Sequence, residues 1–304
     1  MQILILGSAA GGGFPQWNCG CGNCVGVRNN KFPGKARTQA QIAISSDSSS
    51  WFLAGASPDL ARQIEKSPQL HPRSSRDSPI TGVVLSSADL DHVLGLLLLR
   101  ELQPLRVYAA SSVLSILREE NSMFGMLNRV EPQVVWTPMN SGTPFPLLSA
   151  AGKDSGLRCD VLYLSGRYPK YVKAQAAKLD LAKAGAALFF KSASGARVAY
   201  LPAVGNVNNI LLERIEGADL LLFDGTFWSD DELIRVQGGG DTAHQMGHIP
   251  MEESLNLLKD IKVGRKMFIH LNNTNPILNE TSPEHRAVRQ AGWEVAEDNW
   301  QVEL

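Results

Sequence analysis

Three things are scarce in this sequence, and each scarcity closes off a class of function. Charge is the first: charged residues are 19% of the 304, the formal net charge is -1, and no basic run or stripe occurs. Nothing therefore recommends nucleic acid or a membrane surface as a partner. Long apolar runs are the second. The longest, residues 93–99, is too short to cross a bilayer. The opening Met1-Gln-Ile-Leu-Ile-Leu also lacks the basic start and apolar length of a signal peptide, and reads as a first strand. Cysteine is the third, with four in all and three of them inside six residues. A secreted disulfide framework is not built that way, so a cytoplasmic location is expected. The length allows a large core, as one large domain or two fused halves.

What is present begins with Gly7-Ser-Ala-Ala-Gly-Gly-Gly13, a flexible turn behind the strand 3–6. Its glycine spacing misses the Gly-x-Gly start of a dinucleotide fingerprint. Cys19-Gly-Cys-Gly-Asn-Cys24 carries more chemistry. Thiolates at Cys19, Cys21 and Cys24, with glycines permitting tight turns, can wrap three sulfurs around one Zn²⁺. The competing reading is three free or redox thiols. Structural zinc sites commonly use such local clusters, which favours metal. A fourth ligand has to come from elsewhere, since Cys159 lies in an apolar strand, 157–164, and reads as a core thiol.

The densest polar chemistry lies in Pro79-Ile-Thr-Gly-Val-Val-Leu-Ser-Ser-Ala-Asp-Leu-Asp-His-Val-Leu-Gly95. Residues 80–85 form a β-branched apolar run, predicted as a buried strand, and from His92 the pattern predicts an apolar helix. Asp89, Asp91 and His92 then fall at a strand's carboxyl end, where open α/β sheets place ligands. Two carboxylates and an imidazole within four residues are ligands for a divalent metal. Ser86, Ser87, Asp89 and Asp91 are also good helix caps. A cap needs only one of them.

The remaining chain interleaves strands and helices, with no solenoid repeat and no clear linker. Residues 40–44 and 51–53 predict a hairpin, Ser57-Pro-Asp-Leu a helix to about Lys66 with Pro58 in its first turn, and 111–127 an amphipathic helix. Strands are expected at 106–109, 134–137, 158–164, 187–191, 197–201, 219–223, 266–269 and 293–296, and helices at 206–214, from Pro250, and at 283–290. Two strand ends deliver Asp224 and His270. Alone, Asp224 reads as a turn cap and His270 as a satisfied core histidine. Together with Asp91 and His92 they supply two imidazoles and two carboxylates expected at one sheet edge. A glycine-rich loop, 237–246, carries Asp241 and His244 and runs on to His248. Those imidazoles can shuttle protons or bind a substrate carboxylate, while His248 before Pro250 also fits a helix-start role. The pattern favours two β-sheets packed face to face with helices outside, an αββα sandwich.

The run Ser87-x-Asp89-x-Asp91-His92 resembles the His-x-His-x-Asp-His signature of the metallo-β-lactamase superfamily, with its first two histidines replaced. With Cys19-x-Cys21-x-x-Cys24, the chain resembles the pyrroloquinoline quinone biosynthesis protein B family along its whole length. The resemblance implies a single metallo-β-lactamase-like domain over 1–304. It implies that Asp91, His92, Asp224 and His270 match the ligands of the second metal of a two-metal site. The first metal's imidazoles are absent, with Ser87, Asp89 and Ser165 at their places, although Asp89 remains a candidate ligand. For the thiolate zinc, related superfamily members take a fourth ligand where this chain has Asn273.

A site of two histidines and a carboxylate with open positions resembles that of non-haem Fe(II) oxygenases. Family knowledge then implies hydroxylation of the tyrosine ring in a Glu–Tyr precursor of the quinone cofactor. A non-catalytic carrier of the quinone or its precursor, and a single-metal hydrolase, stay open. So does a homodimer.

Overall fold

The computed structural model describes residues 1–131, 133–172 and 179–304. The chain divides into two compact units: Met1–Leu6, Gln41–Ala196 and Asn299–Leu304 form the first, Gly7–Ala40 and Arg197–Asp298 the second.

In the first unit, β1 (Gln2–Gly7), β2 (Gln41–Ser45), β3 (Trp51–Ala54), β4 (Ile80–Val84), β5 (Leu105–Ala110), β6 (Val134–Met139) and β14 (Trp300–Glu303) make one sheet, in the order β14-β1-β2-β3-β4-β5-β6. The hairpin expected across the serine-rich tip is there, β2 pairing antiparallel with β3. From β3 to β6 the pairing is parallel. Every residue of β2 and β3 is buried, as strands covered on both faces require. β7 (Phe145–Leu148), β8 (Asp154–Leu164) and β9 (Gly185–Ser192) form an antiparallel meander in the same unit. Tyr108 of β5 ties the two together. Its hydroxyl accepts the Leu148 N–H at 2.7 Å, and its ring stacks on Phe145 with centroids 5.5 Å apart.

The second unit holds β10 (Arg197–Leu201), β11 (Leu220–Asp224), β12 (Arg265–Ile269) and β13 (Glu294–Val295), all parallel. Helices Asn209–Ile215, Met251–Leu257 and Pro283–Gln290 carry the crossovers. Phe268 stacks on Trp293 at 4.2 Å, and Phe223 packs edge-on against both rings. Because β11 and β12 are in register, Asp224 opposite Ile269, the ends of the two strands are level. Gly225 permits this closeness: a Cβ there would lie 2.7 Å from Leu271 and 2.8 Å from Phe268. The glycine turn after β1 docks here too. Leu271 donates its N–H to the Ser8 carbonyl, and Ala10 donates to the Leu271 carbonyl. Gly12 and Gly13, at φ 93° and 72°, supply the bends.

Several expectations need correction. The helix expected from His92 is a four-residue α-turn, Leu90–Val93, followed by a 3-10 segment, Leu94–Leu99. The backbone bonds elsewhere: Ala56 donates to the His92 carbonyl and Gly95 to the Ala56 carbonyl, an approach so close that a Cβ on Gly95 would lie 2.3 Å from the Ser57 carbonyl oxygen. The amphipathic helix expected over 111–127 is broken into Ser111–Ser115, a π-turn Ile116–Glu120 and a 3-10 segment Ser122–Asn128. Asn121 is extended at the break and its side-chain amide donates to the Ile116 carbonyl, which competes with the helix's own bonds. Pro58 precedes its helix, Leu60–Glu65, and does not sit in its first turn. The glycine-rich loop contains a short helix of its own, Ala243–Met246, fixed by a capping box between Thr242 and Gln245. The strands β7 and β14 escaped the sequence reading.

Candidate metal centres

Two clusters of ligand chemistry lie within the second unit. The first is local. Cys21 is the residue before helix Gly22–Arg28, which carries Cys24 on its buried side. One Arg28 guanidinium nitrogen donates to the Cys19 carbonyl at 2.5 Å and another to that of Gln16, closing the loop around the cysteines. The three sulfurs lie within 4.8 Å of one another, and all are free thiols. Tetrahedral zinc holds sulfurs about 3.8 Å apart, from a Zn–S bond of about 2.3 Å, so the donor set fits Zn²⁺. Burial pushes the Cys24 thiol up to about 11. Burial also opposes ionisation of Cys19, but hydrogen bonds from Cys21, Cys24 and Asn273 hold it below the usual thiol range. Asn273 lies against the cluster. Its side-chain nitrogen lies 3.1, 3.7 and 3.4 Å from the sulfurs of Cys19, Cys21 and Cys24. Asn23 holds that loop by donating to the carbonyls of Asn273 and Asn275, each at 3.1 Å.

The second cluster is assembled from separate strand ends. Asp224 closes β11 and His270 follows β12. His270 has φ 64°, a left-handed conformation uncommon for a residue with a side chain and often found at functional sites. His248 arrives after Gly247, whose φ of 87° ends the short helix. It is held there by Ile249, which donates to the Val204 carbonyl. Ligand atoms of Asp224, His248 and His270 lie within 4.8 Å of one another. The two imidazoles are stacked, 5.5 Å between centroids, and Phe227 packs edge-on against His248.

Asp224 is fully buried. An ionised carboxylate in such a place costs several kcal/mol unless its lone pairs are used. Here four donors reach it. Oδ1 takes the Thr226 N–H at 3.0 Å and hydroxyl at 2.6 Å. Oδ2 takes the Val204 N–H at 2.8 Å and His248 Nδ1 at 2.7 Å. Burial raises its pKa, but the two imidazoles and Thr226 outweigh it, leaving the carboxyl below its ordinary range. Two histidines beside one ionised carboxylate are a donor set that suits a divalent transition metal.

The other expected residues divide cleanly. Asp91 and His92 lie in the first unit, just past β4. His92 is buried, with Nδ1 2.9 Å from the Ser86 hydroxyl and 3.2 Å from that of Ser87, and Nε2 3.7 Å from Asp91 Oδ2. Asp89 accepts the Ser87 hydroxyl at 2.7 Å. His244 does not join His248. It is half exposed and pairs with Glu253 at 3.0 Å. Thr226 was missed, because Asp-Gly-Thr reads as a turn and a lone hydroxyl gives no signal. Glu232 was missed as well. It is buried, accepting the Trp228 N–H and the Thr274 hydroxyl at 2.6 Å each, and burial pushes it up to about 7.

Comparison with known proteins gives these clusters a context. The model of a beta-lactamase superfamily domain matches residues 50–271. The coenzyme PQQ synthesis protein B of Rhodopseudomonas palustris CGA009 is 42% identical, and that of Methylobacterium radiotolerans 40%, each aligned over 100% of both chains. A crystal structure of Zn²⁺-bound PqqB from Methylobacterium extorquens matches with a TM-score of 0.91 at 38% identity, covering 100% of each chain. A diphosphatase of the PhnP family, 17% identical with a TM-score of 0.69 over 100% of this chain and 96% of that one, shares the fold. The fold is the αββα sandwich expected from the strand and helix pattern. From the full-length identity and the superfamily match together, this chain belongs to the coenzyme PQQ synthesis protein B family of the metallo-β-lactamase superfamily.

Proposed function

We propose that this chain acts in the cytoplasm in PQQ biosynthesis, hydroxylating the tyrosine ring of a Glu–Tyr precursor with Fe(II), O₂ and an external two-electron reductant that takes the second oxygen atom to water. The observation that carries the reading is one buried carboxylate, Asp224, bonded to His248 and grouped with His270 at the ends of a parallel sheet. In this proposal the functional metal is bound by His270 and His92 with one or both of Asp91 and Asp224. The parts of Asp91 and His92 rest on the residue pattern Asp91-His92. Fe(II) bound by such a set would supply the one-electron chemistry that O₂ requires. His248, backed by Asp224 and partly open to solvent, takes the proton released from the phenol. Zn²⁺ at Cys19, Cys21 and Cys24, with Asn273 beside it, is a separate structural ion.

Loss of imidazole at Ser87, Asp89 and Ser165 argues against a two-metal hydrolase, whose bridging hydroxide needs both ions. The same loss supports a second reading, a carrier of the quinone without catalysis. Anaerobic, Fe(II)-loaded protein given Glu–Tyr dipeptide, ascorbate as reductant and then O₂ separates the two. Oxygen gained on the ring, and absent with His270→Ala, is the expected result. Tight quinone binding without oxygen incorporation, across Fe, Mn and Zn, would establish the carrier instead.

A further inference from the structure

The hydroxyl of Thr226 sits among the three groups just described, 2.6 Å from Asp224 Oδ1, 2.8 Å from His270 Nδ1 and 3.1 Å from His248 Nδ1. It is buried, with one proton to give and lone pairs to receive. An ionised carboxylate only accepts, and two oxygens 2.6 Å apart need a proton between them. The Thr226 proton therefore points at Asp224. Its oxygen then faces His270 Nδ1 as an acceptor, so that nitrogen must carry hydrogen. The same inventory applies to His248, whose Nδ1 lies 2.7 Å from Asp224 Oδ2 and must also be the donor.

We propose that Thr226 is a positioning residue that relays Asp224 to His270 and locks that imidazole as its Nδ1–H tautomer, placing the lone pair on Nε2. Asp224 then sets both rings, His248 directly and His270 through one hydroxyl. Four donors reach the carboxylate, and two of them, the Thr226 hydroxyl and His248 Nδ1, tie it to the imidazoles. A metal-binding histidine is normally oriented by a partner on its other nitrogen, and losing that partner costs about 10- to 100-fold in affinity. A hydroxyl between carboxylate and imidazole is an indirect form of that support. The inference rests on the metal-binding part of the proposed function, and is independent of oxygen chemistry.

The test begins with metal-free protein labelled with ¹⁵N-histidine. Long-range ¹H–¹⁵N spectra, above the pH at which imidazoles titrate, distinguish the tautomers, and His270→Gln assigns the signal. Wild-type protein and Thr226→Ser should show Nδ1–H at His270, whereas Thr226→Val, which keeps the shape and loses the hydroxyl, should show Nε2–H or a mixture. Chelator competition with Zn²⁺ should then give Thr226→Val a loss of about 10- to 100-fold at the imidazole site. Thr226→Ser should recover most of it, and the thiolate site should be unchanged. An Nε2–H tautomer at His270 in the wild type overturns the inference, as does unchanged Nδ1–H in Thr226→Val. If Thr226→Val fails to fold, the wild-type and Thr226→Ser spectra still decide. A failed hydroxylation assay with the Nδ1–H tautomer intact removes the proposed reaction and leaves this inference standing.

Discussion

The thiolate cluster and the Asp224–His270 cluster occupy the same structural unit but are held by opposite means. Cys19, Cys21 and Cys24 are brought together by the chain's own local geometry, a tight turn leading into a helix. Only Asn273 comes from far away in sequence. Asp224, His248 and His270 come from three separate stretches and meet because β11 and β12 end level. Their geometry depends on one carboxylate and one hydroxyl rather than on spacing. A locally closed site tolerates change elsewhere in the fold. A site assembled from strand ends inherits every shift in the sheet that builds it, so the two should fail differently when perturbed.

The sharpest way to break the comparison is to remove one group from each cluster and follow both metals. His270→Ala should abolish metal at the imidazole cluster and oxygen incorporation with it, leaving thiolate zinc at full occupancy. Elemental analysis of purified protein checks this, and retained wild-type stoichiometry would show the functional metal has been misplaced. The reciprocal change, Cys21→Ser, should lose the thiolate zinc and lower the melting temperature, because metal bound only by the folded state adds its binding free energy to stability. Unchanged zinc would end the structural-zinc reading.

These paired changes also mark what could be read without a structure. Cysteine spacing is a local property, so the thiolate site was legible from six residues. Asp224 and His270 were legible as polar residues ending apolar strands. Their network was not, because Thr226 has no sequence signature and its role exists only once two strand ends align. Likewise, the strand pattern was visible throughout the buried sheets. The helix expected from His92 gave way where the His92 carbonyl and the Gly95 N–H bond to the Ala56 backbone, a tertiary demand that local propensity does not carry.

Glu232 offers a gentler perturbation, connected to the thiolate side through the Asn272–Asn275 segment. Its carboxyl accepts the hydroxyl of Thr274, the neighbour of Asn273. Burial lifts it from an ordinary 4.5 to about 7, so across that window the folded state holds a proton that the unfolded chain has released. Stability linked to this proton is present below pH 4.5 and is lost as pH rises to about 7. Denaturant unfolding of Glu232→Gln should show a flatter pH dependence than wild type over the same range. A parallel pair of curves would mean that the carboxyl is ionised in the fold.

The smallest effect should come from Asn273. Its amide nitrogen, as placed, donates toward three sulfurs at 3.1 to 3.7 Å and supplies no lone pair to an ion. A half-turn of the amide would present Oδ1 instead, an oxygen beside three thiolates. In either orientation the thiolates provide the anionic charge and most of the bond strength, so Asn273→Ala should keep zinc at full stoichiometry. Its affinity, by chelator competition, should fall by less than about tenfold, below the usual cost of losing a group that supports a ligand. Asn273→Asp separates the two orientations. With oxygen facing the ion, a carboxylate should bind zinc at least as tightly as the amide. With nitrogen facing the sulfurs, the substitution replaces a donor with a negative charge and should destabilise the metal-free protein. A loss of zinc in Asn273→Ala as complete as that in Cys21→Ser would overturn this ranking and make the distant residue an equal partner in a site that looks local.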